Sequence, residues 1–326
     1  MKKTIISSLL VLMLSPIAQA NTEDLPGVQP FIDKMVAEHG FDKANLEMLF
    51  DHVEVKDSIL KAISRPAEKS KPWYEYRNIF LTDSRINGGV EFWQQHKEAL
   101  EAAEDKYGVP AEIIIAILGV ETRYGGNVGS FRVIDALSTL AFRYPPRSPF
   151  FTSELEKFLI LTREEDMSQL EPIGSYAGAM GLGQFMPSSY LAYAVDFDGD
   201  GHRNIWTNPT DAIGSIANYL KRHGWVDGAS IVHPTSVSLP LSDAMSANDL
   251  KPAFTRAQLA EAGFNLDELP EGDDELSIIG LTQKEGEEYW LGRQNFYAIT
   301  RYNHSRMYAM AVYQLAQAIK VKLDAL

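Results

Sequence analysis

Cysteine is absent from all 326 residues, which removes disulfides, thiolate nucleophiles and cysteine-bound zinc from consideration. Positive charge is scarce: 30 Lys and Arg stand against 44 Asp and Glu, a formal net charge of −14. Binding a phosphate backbone needs clustered cations, so nucleic acid is excluded as a partner, and no basic patch serves anionic lipid. Long apolar runs are lacking as well. The N-terminal one, Ile5 to Leu14, is too short to cross a bilayer as a helix. Lys2 and Lys3 precede it, Pro16 breaks it, and Ala18-Gln19-Ala20 follows as an A-x-A cleavage site. These are the three parts of an export signal; an uncleaved membrane anchor is the competing reading. Residues 1–20 are therefore expected to be removed, leaving a soluble periplasmic chain from about Asn21, with no cysteine there for a lipid anchor. Its formal charge, with two lysines fewer, is −16. About 300 mature residues can bury a core and divide into two or three domains.

No internal repeat and no low-complexity segment appears. Val28 to Tyr107 reads as helical, with apolar stripes at Phe31, Met35 and Val36, then at Leu46, Leu49, Phe50 and Val53. Gly40 ends the first stripe and Asp42 is placed to cap the second. Arg65 to Tyr76, with Pro66 and Pro72, is expected to be a loop. After Trp225 the segments Ser230–His233, Glu275–Leu281, Glu288–Leu291 and Asn295–Thr300 read as short strands. Arg306 to Leu323 returns to helix and is expected to pack back on the N-terminal helices, giving an α-rich chain with a small β insertion.

The most unusual stretch follows Pro110. Ala111 to Val120 is apolar on nearly all sides and predicts a helix at the centre of its domain. Glu121 stands at its end, and Gly125-Gly126 are expected to stop it. Burial and the helix dipole both disfavour a charged carboxylate there, which would raise its pKa toward that of a general acid. A salt bridge to Arg123 at an exposed helix end accounts for the same residues equally well.

A second marked stretch is Asp196-Phe-Asp-Gly-Asp-Gly-His-Arg-Asn204. It opens like an EF-hand loop, with oxygens from Asp196, Asp198 and Asp200, a turn at Gly201 and the His202 carbonyl. Thr207 stands where a bidentate Glu closes such a loop. A structural Ca2+ is expected; an Asx-rich turn without metal is the plainer alternative.

Ile117-Leu-Gly-Val-Glu-Thr-Arg-Tyr-Gly125 resembles the catalytic motif of the lytic murein transglycosylase B family. Ser175-Tyr-Ala-Gly-Ala-Met-Gly-Leu-Gly-Gln-Phe-Met-Pro-Ser-Ser-Tyr190 resembles its glycine-rich substrate segment, and Arg301-Tyr-Asn-His-Ser305 with Tyr308 is a third match in the same order. The resemblance spans nearly all of the mature chain. It implies a mainly α (α+β) fold: a lysozyme-like core with an EF-hand-like loop over 106–225, a helical domain over 21–105 completed by 303–326, and a small antiparallel β domain over 226–302. It also makes Ser175, Gln184, Tyr76, Tyr219, Tyr302 and Tyr308 active-site positions, and it closes the metal loop with Asp211.

The small residues of Ala177 to Gly183 let backbone approach a sugar closely, although close helix packing explains such a run as readily. Gln184 is expected in the groove, with Phe185 and Met180 lining it and Ser175 bonded to Glu121 or to substrate. Arg147 is expected in a loop near the groove, with Pro146 where the family often has a second arginine. No other acid is comparably marked, since Glu154, Glu156, Glu164, Glu165 and Asp166 read as exposed. The resemblance implies a one-carboxylate route that cleaves the MurNAc–GlcNAc bond of peptidoglycan glycan strands to 1,6-anhydromuramoyl ends. A hydrolytic muramidase and a non-enzymatic calcium-dependent wall-binding protein are the alternatives. A monomer is expected, with cell-wall synthesis proteins as the partners such an activity would meet.

Overall fold

The computed structural model describes residues 25–64, 71–242, 245, 250–272 and 274–326; the expected export signal and Pro66 lie outside them. Helix α1 (Val28–His39) buries Val28, Phe31, Ile32 and Met35 and stops at Gly40, whose φ of 65° is the left-handed turn a glycine makes without a Cβ clash. Asp42 caps α2 (Lys43–Asp51) by accepting the Asn45 N–H. Next come α3 (Asp57–Ile63), α4 (Trp73–Phe80), α5 (Asp83–Gln95) and α6 (Lys97–Tyr107). Trp73 to Tyr76, expected in a loop, instead open α4. Pro72 stands just before its first turn, where a missing N–H costs nothing, and Trp73, Tyr76 and Phe80 form its buried face.

Helix α7 (Ala111–Thr122) is the centre of the molecule. Apart from Glu112, all residues from Ala111 to Val120 are buried, as an all-round apolar helix requires. Strand β1 (Phe131–Arg132) leads into α8 (Val133–Arg143), and a 3-10 turn at Pro145–Arg147 leads into α9 (Ser148–Glu164). β2 (Ile173–Gly174) pairs antiparallel with β1. Then follow α10 (Pro187–Tyr193), α11 (Pro209–Arg222), β3 (Val232–Thr235), α12 (Arg256–Glu261), β4 (Ser277–Thr282), β5 (Glu287–Gly292), α13 (Gln294–Tyr302) and α14 (Arg306–Asp324). The last helix, α14, packs along α7, α5 and α4, while α6 and α11 also pack on α7.

β3, β5 and β4 form one antiparallel sheet in that order. Asn295 to Thr300, expected as a further strand, belongs to α13. The β-branched Ile299 and Thr300 suggest a strand, but Asn295, Phe296, Ala298, Ile299 and Thr300 are the residues it buries, a helical face rather than an alternating one. The fold is thus mainly helical with a small antiparallel sheet. A large apolar core runs from Leu25 to Ile319, and a satellite cluster at Leu259, Phe264, Leu276 and Leu291 underlies the sheet.

Two acids expected on exposed helix are buried instead. Glu154 accepts the Ser188 N–H at the start of α10 at 2.8 Å, where the helix dipole favours a negative charge. Glu165 accepts the Arg203 backbone N–H and Nε at 3.0 and 2.5 Å. Burial works to raise its pKa, but these bonds and the guanidinium charge outweigh it and hold the carboxyl below its ordinary range. Among the described residues, no helix is long and apolar enough to cross a membrane.

Candidate active site

The reversal at the end of α7 begins before the glycines and runs into Gly125, at φ 90°. Arg123 and Tyr124, at φ 52° and 60°, open the left-handed turn that Gly125-Gly126 were expected to make, and Gly125 continues it. Such a conformation costs an L-residue about 1–2 kcal/mol, so the surrounding contacts must hold it. One of them is Thr122, whose fully buried hydroxyl donates to Leu182 O at 2.8 Å and accepts the Gly125 N–H at 3.0 Å. This ties the helix end to the glycine-rich segment.

Half-buried Glu121 reaches toward α14. There the Tyr308 hydroxyl donates to Glu121 Oε1 at 2.6 Å. Ser305 caps α14 by accepting the Tyr308 N–H, which fixes the tyrosine in the first turn. Its ring lies near-parallel to that of Tyr302, 6.4 Å between centroids. Tyr302 donates to Gly183 O at 2.5 Å, and Tyr219, from α11, donates to Arg301 O at 2.6 Å. The Tyr219 and Tyr302 rings are 4.8 Å apart, with Phe185 at 5.7 and 5.9 Å from them. Tyr76, on α4, is close enough to Tyr308 to act on it electrostatically. Burial first, then the Glu121 charge, pushes the Tyr302 and Tyr308 phenols well above 10. Burial, then Tyr193, pushes Tyr219 up to about 12. These hydroxyls therefore remain donors at any ordinary pH.

The fold thus gathers tyrosines that are widely separated in sequence into one wall beside Glu121. Gln184 sits next to it in a left-handed conformation, φ 53°. Its Nε2 donates to Val128 O and Gly181 O at 3.2 and 3.0 Å. Both amide protons are thereby engaged, which leaves Oε1 as its acceptor for a ligand hydroxyl. Ser175 Oγ accepts the N–H groups of Ala177 and Ala179 at 3.2 and 3.0 Å, so it shapes the glycine-rich turn and keeps its own proton to donate. Phe185 is buried and serves as backing, and Met180, expected to line the groove, is fully buried. Arg147 is exposed in the 3-10 turn, its guanidinium 4.4 Å from the Phe150 ring centroid and 5.1 Å from that of Phe151.

In the acidic loop, Asp196, Asp198 and Asp211 bring carboxylate oxygens within 4.8 Å of one another. Asp211 is fully buried in the first turn of α11 and accepts the Phe197 and Asn204 N–H groups, both at 2.7 Å. Burial, the largest influence, raises its pKa. Asp196 accepts the Gly199 and Gly201 N–H groups at 2.7 and 2.9 Å. Asp200 lies outside this trio and accepts the His202 N–H at 2.9 Å, and the His202 ring faces Glu165 at 3.8 Å. Three hard oxygen donors, one of them buried, suit a calcium-like cation.

Behind the end of α7 lie Arg85, which no motif singles out, and Tyr124, which stands in the motif around Glu121 but has no role assigned there. The Gly88-Gly89 doublet inside a helix is the sequence signal that something packs there.

Residues 24–317 match the family described as Transglycosylase SLT domain. Over 306 residues the chain is 46% identical to membrane-bound lytic murein transglycosylase B of Escherichia coli K12, covering 90% of this chain and 82% of that protein. Soluble lytic transglycosylase SltB1 of Pseudomonas aeruginosa superimposes with a TM-score of 0.85 at 53% identity, over 91% of this chain and 99% of that one. Escherichia coli lytic transglycosylase SLT35, solved in complex with calcium, does so with a TM-score of 0.86 at 44% identity, over 96% of this chain and 99% of that one.

Proposed function

The chain belongs to the transglycosylase SLT domain family and acts as a lytic transglycosylase on peptidoglycan, and we propose that Glu121 is its single general acid and base. Protonated Glu121 gives its proton to the glycosidic oxygen between MurNAc C1 and GlcNAc O4, and that bond breaks. The carboxylate then takes the proton of the MurNAc C6 hydroxyl as O6 closes on C1. One proton leaves and one returns, no water is consumed, and the muramoyl end becomes a 1,6-anhydro sugar.

The Tyr308 bond to Glu121 at 2.6 Å carries this reading. A phenol that keeps its proton makes Oε1 an acceptor in both states of the carboxyl, so Oε2 is the oxygen that holds the transferable proton. The Gln184 Oε1 and the Ser175 hydroxyl offer complementary contacts to sugar hydroxyls. Tyr76, Tyr219 and Tyr302 form the wall for the pyranose. Arg147, tied to Phe150 and Phe151, is assigned to the groove's outer margin.

Glu121→Gln tests the assignment. The variant should fold and release no anhydro-muropeptides from purified sacculi, as read by mass spectrometry. Turnover at the wild-type rate would overturn it, and products heavier by one water would make the enzyme a hydrolase.

Asp196, Asp198 and Asp211 are proposed to hold a structural calcium, with Asp200 and the His202 carbonyl completing the loop. When bound, the ion neutralises the clustered carboxylates and ties the loop to α11. Chelation should lower the melting temperature by several degrees and added Ca2+ should restore it; an unchanged melting curve would count against the site.

The chain is further proposed to be a soluble periplasmic monomer cleaved before Asn21, which N-terminal sequencing of the mature protein checks. The satellite core beneath the sheet supports 226–302 as a separate β domain, with 106–225 as catalytic core and 21–105 plus 303–326 as the helical domain.

A further inference from the structure

We propose that Arg85 and Tyr124 are positioning residues for the reaction, forming a latch that sets where Glu121 stands; this rests on Glu121 being the acid and base. The Tyr124 ring folds back against α7 and fills a slot made by glycines of two helices. A Cβ on Gly119 would meet the Tyr124 hydroxyl oxygen at 2.5 Å, one on Gly89 would meet it at 2.8 Å, and one on Gly88 would meet the ring at 3.0 Å. A side chain at Gly119 would force the ring to shift, one at Gly89 would strike Ile319 as well, at 2.4 Å, and one at Gly88 would need the ring to give by a few tenths of an ångström. Its hydroxyl donates to Arg85 O at 2.7 Å. The Phe92 ring lies 5.8 Å from it.

Arg85 returns the contact. Only 8% exposed, it donates Nε to Gly119 O at 2.8 Å and Nη1 to Ile79 O. No carboxylate among the described residues lies within ion-pair distance of it. Its charge faces instead the carbonyls at the C-terminal ends of α4 and α7, where the helix dipoles are negative. One guanidinium on α5 therefore fastens the ends of the two helices that carry Tyr76 and Glu121.

Gly119 is two residues before Glu121, and the turn that Tyr124 locks begins two residues after it. The carboxyl is thus fixed from both sides, opposite a Tyr308 bond of 2.6 Å. Proton transfer tolerates little slack. A displacement of about 1 Å at a reacting group can cost about a hundredfold in rate.

The test compares Tyr124→Phe and Arg85→Lys with wild type and with Glu121→Gln, measuring anhydro-product release from sacculi at saturating and limiting substrate. Circular dichroism and melting curves report the folded fraction. Tyr124→Phe keeps the ring in its slot and loses one bond; Arg85→Lys keeps the charge and loses the fork that spans both helix ends. In folded protein, kcat should fall about tenfold for Tyr124→Phe and by ten- to a hundredfold for Arg85→Lys, with KM changed less than threefold. The pH limb of kcat that reports Glu121 should move in both. Wild-type kcat in both folded variants, or losses that only track the unfolded fraction, would overturn the latch while Glu121→Gln stays inactive. An active Glu121→Gln would instead overturn the acid/base assignment, and the latch with it.

Discussion

A carboxyl that must serve as acid and then as base needs neighbours that do not exchange protons with it. Tyr308 meets that condition, because burial and the Glu121 charge keep its phenol protonated. Tyr308→Phe removes one charge-assisted bond from the active oxygen pair, a loss of about 1.5–3 kcal/mol. Turnover in a folded variant should fall about ten- to a hundredfold, and anhydro-product release at the wild-type rate would show that the bond has no part in catalysis. Glu121 was marked in the sequence as a candidate, since a carboxylate closing an apolar helix stands out on physical grounds, though a salt bridge explained it equally well. Its partner was not. Tyr308 lies 187 positions away, and only the resemblance pointed to it. Arg85 escaped for a related reason, and so did the contacts of Tyr124, though that residue stands in the Glu121 motif, because backbone carbonyls and glycine slots leave no pattern of side-chain types.

Among the elements, periodicity was informative wherever one face of a helix is buried, as in α1, α2 and α14, and the unbroken apolar run did the same for α7. It misled where β-branched residues occupy a short helix, as in α13. There Asn295, fully buried, has a use that alternation does not predict. Its Oδ1 accepts the Val226 N–H at 2.7 Å, and its Nδ2 donates to Val226 O and Ala229 O, each at 2.8 Å. The side chain thus stands in for backbone partners of the loop after α11. Asn295→Leu leaves those buried groups unsatisfied, at about 1–3 kcal/mol each for those that water does not reach. A loss of about 3 kcal/mol or more in urea unfolding is expected; a loss below about 1 kcal/mol would mean the loop is held by other contacts. The α7 terminus shows the same limit of sequence patterns. Two glycines lay within reach, yet the reversal starts at Arg123 and Tyr124 and only then reaches Gly125, because the Tyr124 ring has a slot to enter.

For the whole molecule, the buried phenols set an upper limit of pH. Burial raises Tyr124, Tyr190, Tyr302 and Tyr308 above the ordinary 10.0 and Tyr219 up to about 12. The unfolded chain releases these protons from about pH 10, while the folded chain keeps them. The unfolded state then binds fewer protons, so stability falls as pH rises. The contribution is complete below pH 10 and is lost as pH climbs through 12 and beyond. Melting temperature should therefore stay level from about pH 7 to 9 and drop steeply above about 10; a flat profile to about pH 11.5 would refute the linkage. The broad architecture, helices with a small sheet, was readable from composition and pattern. The return of the last helix to the N-terminal ones was expected as well, but the large core that joins them to α7 was not, because pattern reveals faces and not all that they meet. That core also orders events in time. The phenol that serves Glu121 rides on α14, the final helix, packed against α4, α5 and α7. On the role proposed for Glu121, a growing chain holds that acid well before the helix whose tyrosine bonds it, and wall-cutting power is expected only once α14 is free to dock. The order of synthesis would thereby act as a safety catch.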